Sequence, residues 1–238
     1  VKVKLQRLDQ GAEVLLEGVR AEGLDAAMAL QDFAAAHRLA RLAIDQGDGV
    51  ETVWQPEPPT MRFGAIAVEV PPFAFLQATA AGEAALVAAV REAIGEAGAV
   101  ADLFAGIGTF ALSVQAGRKL YAAEGARDAL LALTGAANRA RALVATEHRD
   151  LFRRPLIPAD LNRFGAVILD PPRAGAEEQV QQIAASTVPV IAYVSCNPAS
   201  FARDAKRLVA GGYRLDWVQP VGQFRWSTHV ELAARFMK

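Results

Sequence analysis

A single cysteine, Cys196, stands in Ser195-Cys196-Asn197-Pro198. An acidic turn, Asp170-Pro171-Pro172-Arg173, precedes it in the chain, and His229-Val230-Glu231 follows it. One thiol and two carboxylates are the types needed for nucleophilic attack followed by proton removal. A lone cysteine is otherwise small buried packing, and an acidic residue in an apolar stretch is otherwise surface-facing. Position argues against both readings here: Pro198 begins a helix directly after Cys196, and a helix N-terminus is expected to favour the thiolate.

A second group is Asp102-Leu103-Phe104-Ala105-Gly106-Ile107-Gly108-Thr109, between an apolar run and a helical pattern. Two glycines let a backbone approach a ligand closely, and a helix start presents free N–H groups. The G-x-G spacing alone is weak. Asp102, ahead of the first glycine, suits the ammonium of a bound amino acid and would repel a pyrophosphate. Glu124 ends the next apolar run, where a carboxylate can accept from ribose hydroxyls. Asp150 is placed to meet an adenine amino group. This set fits S-adenosyl-L-methionine better than a dinucleotide; the alternative is a glycine turn with no ligand.

The two groups make chemical sense together. Carbon 5 of uracil is a poor nucleophile. A thiolate adding to carbon 6 generates an enolate, which lets carbon 5 attack a sulfonium methyl group. A base must then take the carbon 5 proton so that the thiol can leave. Cysteine, carboxylate and S-adenosyl-L-methionine suffice without a metal.

The elements that must position these residues are legible in the hydrophobic pattern. From about residue 82, helical and strand-like runs alternate: helices over 82–97, 109–115, 127–142 and 198–210, and buried strands over 100–104, 120–123, 166–169 and 188–194, with a later strand over 213–221. His229 to Glu231 reads as a further strand or its entry. Such alternation predicts an α/β, doubly wound, Rossmann-like sheet whose ligands bind beyond the strand carboxyl ends, where every motif above falls. Residues 1–73 read as a small N-terminal α+β domain and 74–238 as the catalytic one. In the small domain, a hairpin is expected across Asp9-Gln10-Gly11, then a helix from about Asp25 to Ile44 with Leu30, Phe33, His37, Ala40 and Ile44 on one face. Two strand-like runs broken by prolines follow over 50–70.

Composition narrows the class. The 238 residues are 53% apolar and 21% charged, the balance of a globular protein. No run resembles a membrane span or signal peptide, so a cytoplasmic protein is expected. A net charge of −1 argues against a broad basic face, so any RNA contact is expected to use local patches or regions missing from this chain. One cysteine excludes an internal disulfide and any cysteine-held metal cluster in this chain. The first residue is Val1 rather than Met, as expected of a fragment or processed form.

The sequence resembles the bacterial RNA 5-methyluridine methyltransferases that act on tRNA and 23S rRNA. The matching segments are FLQAT (75–79), DLFAGIGTF (102–110), LDPPRAGA (169–176), YVSCNPASFARD (193–204) and THVE (228–231), in the family's order over roughly the last two-thirds of the chain. The resemblance implies a class I methyltransferase fold acting on RNA as a monomer, with the target uridine flipped into the pocket. It makes Cys196 the nucleophile, Glu231 the base at carbon 5, and Asp170 a partner of the uracil edge. Gln77 and Phe75 would position the target base, with Arg173 beside it. Gln77, Asp102, Phe104, Gly106, Gly108, Thr109, Glu124, Asp150 and Asp170 would surround the cofactor.

Three departures stand out. The family's N-terminal oligonucleotide-binding barrel is not visible, nor are four cysteines for an iron–sulfur cluster. Thr79 stands where the family often has Asn, and Arg225 to Thr228 lack a frequent histidine. Arg153-Arg154 is the better candidate for phosphate contact, while Arg203, Lys206 and Arg207 read as a solvated helix face.

Two other readings remain open: a methyltransferase acting on another base or a small molecule, and a non-catalytic RNA-binding remnant. An adenine-N6 enzyme would usually carry an aromatic residue where Arg173 stands, and the intact Cys196, Glu231 and Gly106 argue against decay.

Overall fold

A computed structural model describes residues 1–224 and 226–238. Arg225, part of the third departure, lies outside the described residues. The chain divides into two compact units, one of residues 1–62 and 67–76, the other of residues 63–66 and 77–238.

The smaller unit carries a four-stranded sheet in the order β1-β2-β3-β4: Lys2–Leu8, Gly11–Glu17, Arg41–Asp45 and Val50–Trp54. Helix α1, Gly23–Ala36, links β2 to its parallel neighbour β3. The expected helix to Ile44 is therefore corrected: it stops at Ala36, and 41–45 is a buried strand. Arg38 takes a left-handed backbone (φ 51°) just past the helix end, turning the chain. The strand satisfies a buried charge, because Arg41 pairs with Glu13 on β2 and donates to the carbonyl of Val70 at 2.7 Å. A buried carboxylate without that partner would be costly, and pairing overrides the apolar periodicity that suggested a helix. Two short paired strands follow, β5 (Thr60–Phe63) and β6 (Ile66–Glu69).

The larger unit opens with α2, Ala80–Ile94. Thr79 caps it, its hydroxyl accepting from the Gly82 amide at 3.0 Å. Asn and Thr both serve as N-caps, so the departure at 79 preserves this function. There follow β7 (Ala99–Leu103), α3 (Thr109–Val114), β8 (Lys119–Glu124), α4 (Arg127–Arg139), β9 (Val144–His148), α5 (Pro158–Leu161), β10 (Ala166–Leu169), α6 (Glu177–Ala184), β11 (Val190–Ser195), α7 (Pro198–Ala210), β12 (Arg214–Val221) and β13 (Glu231–Met237). β9, α5 and α6 were not resolved by the apolar pattern: β9 is half-exposed and the two helices are short.

The seven strands run in the order β12-β13-β11-β10-β7-β8-β9. The five from β11 to β9 pair in parallel, while β13 is antiparallel to both neighbours. Alternate residues of the central strands face opposite layers. Val100, Ile168, Ala192 and Val194 pack with α2 and α3, whereas Leu103, Leu169, Ile191 and Tyr193 pack with α5, α6 and α7. All four residues of β10 are buried, as expected where a strand is covered on both faces. Strand order reverses between β7 and β10. That reversal opens a crevice beyond the carboxyl ends of these two strands.

Candidate functional site

The glycine loop leaves β7 at the crevice. Phe104 adopts φ 65°, and its amide and that of Ala105 both donate to the Ala123 carbonyl on β8. Gly106 (φ 55°) donates to Glu124 at 2.8 Å, so the loop is tied to the carboxylate ending the next strand. A Cβ added to Gly106 would meet nothing within 4 Å, leaving open space over the backbone. Gly108 (φ 98°) differs: a Cβ there would lie 2.5 Å from Leu133 of α4. The first glycine borders a void, and the second permits close packing. Thr109 is the first residue of α3.

Asp102 is fully buried. Its Oδ2 accepts from the Ala111 amide at 2.8 Å, while its Oδ1 has no hydrogen-bond partner. Burial pushes its carboxyl up to about 8, with Asp170 and Glu124 adding repulsion and the Ala111 amide opposing both. An unsatisfied buried carboxylate oxygen asks for a donor or cation. Glu124 also accepts from the Ala126 amide at 2.6 Å. Asp150 lies beyond β9, and its Oδ1 accepts from the Phe152 and Arg153 amides, closing its own turn. Phe152 brings its ring to 5.3 Å from that of Phe104, walling this side of the loop. The donor set matches a zwitterionic, ribose-bearing ligand: an orphaned carboxylate oxygen, a second carboxylate on the next strand, and an open backbone cradle.

The second half of the site is built by register. Leu169 of β10 pairs with Tyr193 of β11, and Ser195 pairs with Leu232 of β13. Asp170 therefore leaves β10 at the same edge as Cys196 leaves β11, and its amide donates to the Leu103 carbonyl at 3.3 Å. One step beyond Ser195–Leu232 stand Cys196 and Glu231. Burial, then the Glu231 carboxylate, push Asp170 up to about 7. Glu231 is half-buried, and burial raises it too, with His229 pulling the other way.

Cys196 is partly accessible. Its thiol is raised, first by burial, then by Glu231 and Asp170, with a backbone hydrogen bond at Cys196 and then Arg173 opposing them. This corrects the expectation of a helix-favoured thiolate. The start of α7 is already closed: Asn197 Oδ1 accepts from the Ala199 amide at 3.0 Å, and Pro198 has no N–H to offer. Burial first, then the two nearby carboxylates, outweigh the groups that favour the thiolate.

Gln77 accepts from Gln223 at 2.8 Å, and Gln223 in turn accepts from the Thr79 amide at 3.1 Å. Gln223 is buried, and a Cβ at Gly82 would collide with its side chain at 2.5 Å. The sequence offered no signal for Gln223, since a glutamine in a loop is unremarkable. Phe75 is exposed and belongs to the smaller unit. Arg173 and Arg153 are exposed, whereas Arg149 bonds the Arg154 and Pro155 carbonyls and holds its own loop. Trp54 donates to the Leu39 carbonyl and Trp217 packs against the α2 layer, leaving Trp226 as the fully exposed tryptophan.

Residues 69–238 match the tRNA (uracil-5-)-methyltransferase family. A protein of Zymomonas mobilis named as an uncharacterized RNA methyltransferase is 54% identical over 237 residues, covering 100% of this chain and 60% of that protein. The 23S rRNA (uracil(1939)-C(5))-methyltransferase RlmD of Pseudomonas fluorescens is 40% identical over 147 residues, or 58% of this chain and 30% of that protein. In fold, the chain is similar to the Pyrococcus abyssi tRNA (uracil-54, C5)-methyltransferase solved with S-adenosyl-L-homocysteine. The TM-score is 0.78 at 24% identity, over 99% of this chain and 59% of that one. The chain spans less than two thirds of the length of the curated relatives named here, 60% of one and 30% of the other.

Proposed function

Because the chain belongs to the tRNA (uracil-5-)-methyltransferase family, we propose that it methylates carbon 5 of a uracil in RNA, using S-adenosyl-L-methionine. The observation that carries this reading is the meeting of Cys196, Asp170 and Glu231 at one sheet edge, beside a glycine loop with an unsatisfied buried carboxylate oxygen. The relatives named as acting on tRNA and on 23S rRNA support RNA as the substrate class. A cytoplasmic monomer is part of the same proposal. No helix among the described residues is long and apolar enough to cross a membrane.

The cofactor would be held by Asp102 at its ammonium, by Glu124 at its ribose and by the Gly106 backbone, with Phe104, Gly108, Thr109, Asp150 and Gln77 around it. When bound, it supplies an electrophilic methyl group. Cys196, as thiolate, adds to carbon 6 of the uracil and leaves an enolate across carbons 4 and 5. Asp170 is the group that steadies the uracil edge. Its raised protonation range lets it carry a proton near neutrality, so it can donate as well as accept. Once carbon 5 carries the methyl group, Glu231 takes its proton, and the thiol departs by elimination across carbons 5 and 6. Burial keeps Glu231 a stronger base than a solvated carboxylate. Gln77 and Arg173 would contact the target nucleotide, and the resemblance gives the same role to Phe75 of the smaller unit.

Incubation with S-adenosyl-L-methionine and 5-fluorouridine-substituted RNA tests this. Fluorine cannot leave as a proton, so a covalent protein–RNA adduct should persist on a denaturing gel and vanish with Cys196→Ala. Cofactor binding without any adduct would move the reading towards another base or a small molecule. Loss of both would favour a non-catalytic remnant.

A further inference from the structure

The segment after Asp170 is fastened to α7 at successive points along its backbone. Asn197 Nδ2 donates to the Arg173 carbonyl at 2.9 Å. Arg203 Nη2 donates to the Ala174 carbonyl at 2.9 Å. Asp204 Oδ2 accepts from the Ala176 amide at 2.8 Å and from the Tyr193 hydroxyl at 2.7 Å. Asp204 is itself buried, and its other oxygen accepts from Arg203 Nε at 2.9 Å and Nη2 at 2.8 Å. Between these points Gly175 (φ 83°) runs so close to α7 that a Cβ would lie 2.5 Å from Arg203 and 2.7 Å from Asp204. Arg203 is exposed, as its helix position suggested, yet it also fastens the loop: it faces Glu177 at 3.7 Å and donates to one carbonyl and one buried carboxylate.

These bonds have a direction. α7 starts two residues after the thiol, and the fastened loop carries Arg173. The charges that act on Cys196 are Glu231 from β13, Asp170 from β10 and Arg173, and only Arg173 favours the thiolate. His229 acts on Glu231 instead. We infer that Arg203 and Asp204 are positioning residues that lock the 173–176 backbone along α7 and so hold Arg173 beside Cys196. Neither need touch RNA or cofactor. The inference rests on Cys196 being the attacking thiol.

Because Cys196 is the single cysteine, its alkylation by iodoacetamide across pH reads the thiol directly, whether or not the protein methylates RNA. Arg203→Ala should slow alkylation at pH 8 by about twofold to threefold, a modest change because Arg173 is exposed and screened by water. Arg173→Ala should do the same, and the double variant should be no slower than either single one, since both remove one effect. Asp204→Asn should match Arg203→Ala. Tyr193→Phe removes one bond to Asp204 but leaves the loop fastened, so it should lower the melting temperature without moving the alkylation profile. In methyl transfer, Arg203→Ala should lower kcat about tenfold and leave KM for S-adenosyl-L-methionine within twofold. An unchanged alkylation profile in Arg203→Ala, or additive effects in the double variant, would overturn the inference. Inactivity of the unmodified protein towards RNA would count against the proposed function while the alkylation series still decides this point.

Discussion

Cys196 and Glu231 stand one step outward from the antiparallel partners Ser195 and Leu232, on strands that end and begin at the same edge. The proposed base opens β13, where it pairs with Val221 of β12, and the proposed nucleophile is the first residue past the end of β11. Replacing the base should separate the two halves of the reaction. Glu231→Gln should lower turnover by about 10²–10⁴-fold, the usual weight of a general base. It should also accumulate a Cys196-linked adduct on unmodified RNA, because the methylated intermediate keeps its carbon 5 proton. A Gln variant that turns over at the original rate would remove Glu231 from the mechanism.

The thiol should titrate above the range of a free cysteine, since burial and two carboxylates oppose its ionisation. Alkylation rate against pH measures this. Glu231→Gln removes one repulsive charge and should move the midpoint down. A midpoint at or below that of free cysteine in the unmodified protein would mean that the carboxylates do not reach the thiol.

Asp102 predicts a pH dependence of stability whose sign follows from its environment. An acid with a folded pKa above its unfolded value binds its proton more firmly when folded. The stabilisation is complete below about pH 4 and is lost as pH rises through the folded value of about 8. Asp102→Asn should flatten this fall in thermal melts and raise the melting temperature at pH 8. The same variant should bind S-adenosyl-L-methionine poorly. In the unmodified protein, affinity should weaken as pH drops from 8 to 6, by up to about tenfold per unit, as the carboxylate loses the charge that meets the ammonium. A pH-independent affinity would sever that pairing.

The two glycines of the loop should fail differently. Gly106→Ala places a methyl group in open space at a positive φ, so it should cost about 1 kcal/mol of stability and a larger share of cofactor affinity. Gly108→Ala drives a methyl group against Leu133 and should cost more in stability, about 2 kcal/mol or beyond. Chemical denaturation and calorimetric titration of both variants distinguish cradle from packing.

Thr79→Ala should cost about 1 kcal/mol by removing the α2 cap, while Thr79→Asn should be nearly neutral. Equal losses in denaturant would show that the hydroxyl is held for something other than capping.

Much of the larger unit was legible because its strands are buried on both faces and read as short apolar runs; β10 and β11 are examples. β9 escaped because an edge strand with Thr146 and Glu147 carries no such run. In the smaller unit the helix was overextended because Ala40 and Ile44 continue the α1 stripe, while the deciding fact, Arg41 meeting Glu13, is a contact between distant residues. Among site residues, position at a strand end could be read directly. The direction of the Cys196 shift could not, because it depends on how close Glu231 and Asp170 come in space. Gln223 and the α7 fastening were invisible for the same reason: a side chain's partner across the fold leaves no local pattern.

Strand β13 lies between β11 and β12, although both are made before it. On the ribosome, β11 therefore emerges before residues 231–237, which cover its edge in the finished sheet. Until they arrive, the growing polypeptide already contains Cys196 and its glycine loop, and lacks Glu231, the proposed base. The order of synthesis thus joins completion of the sheet to completion of the proposed site. A nascent protein interrupted before that point would present an adhesive strand edge and an unfinished site.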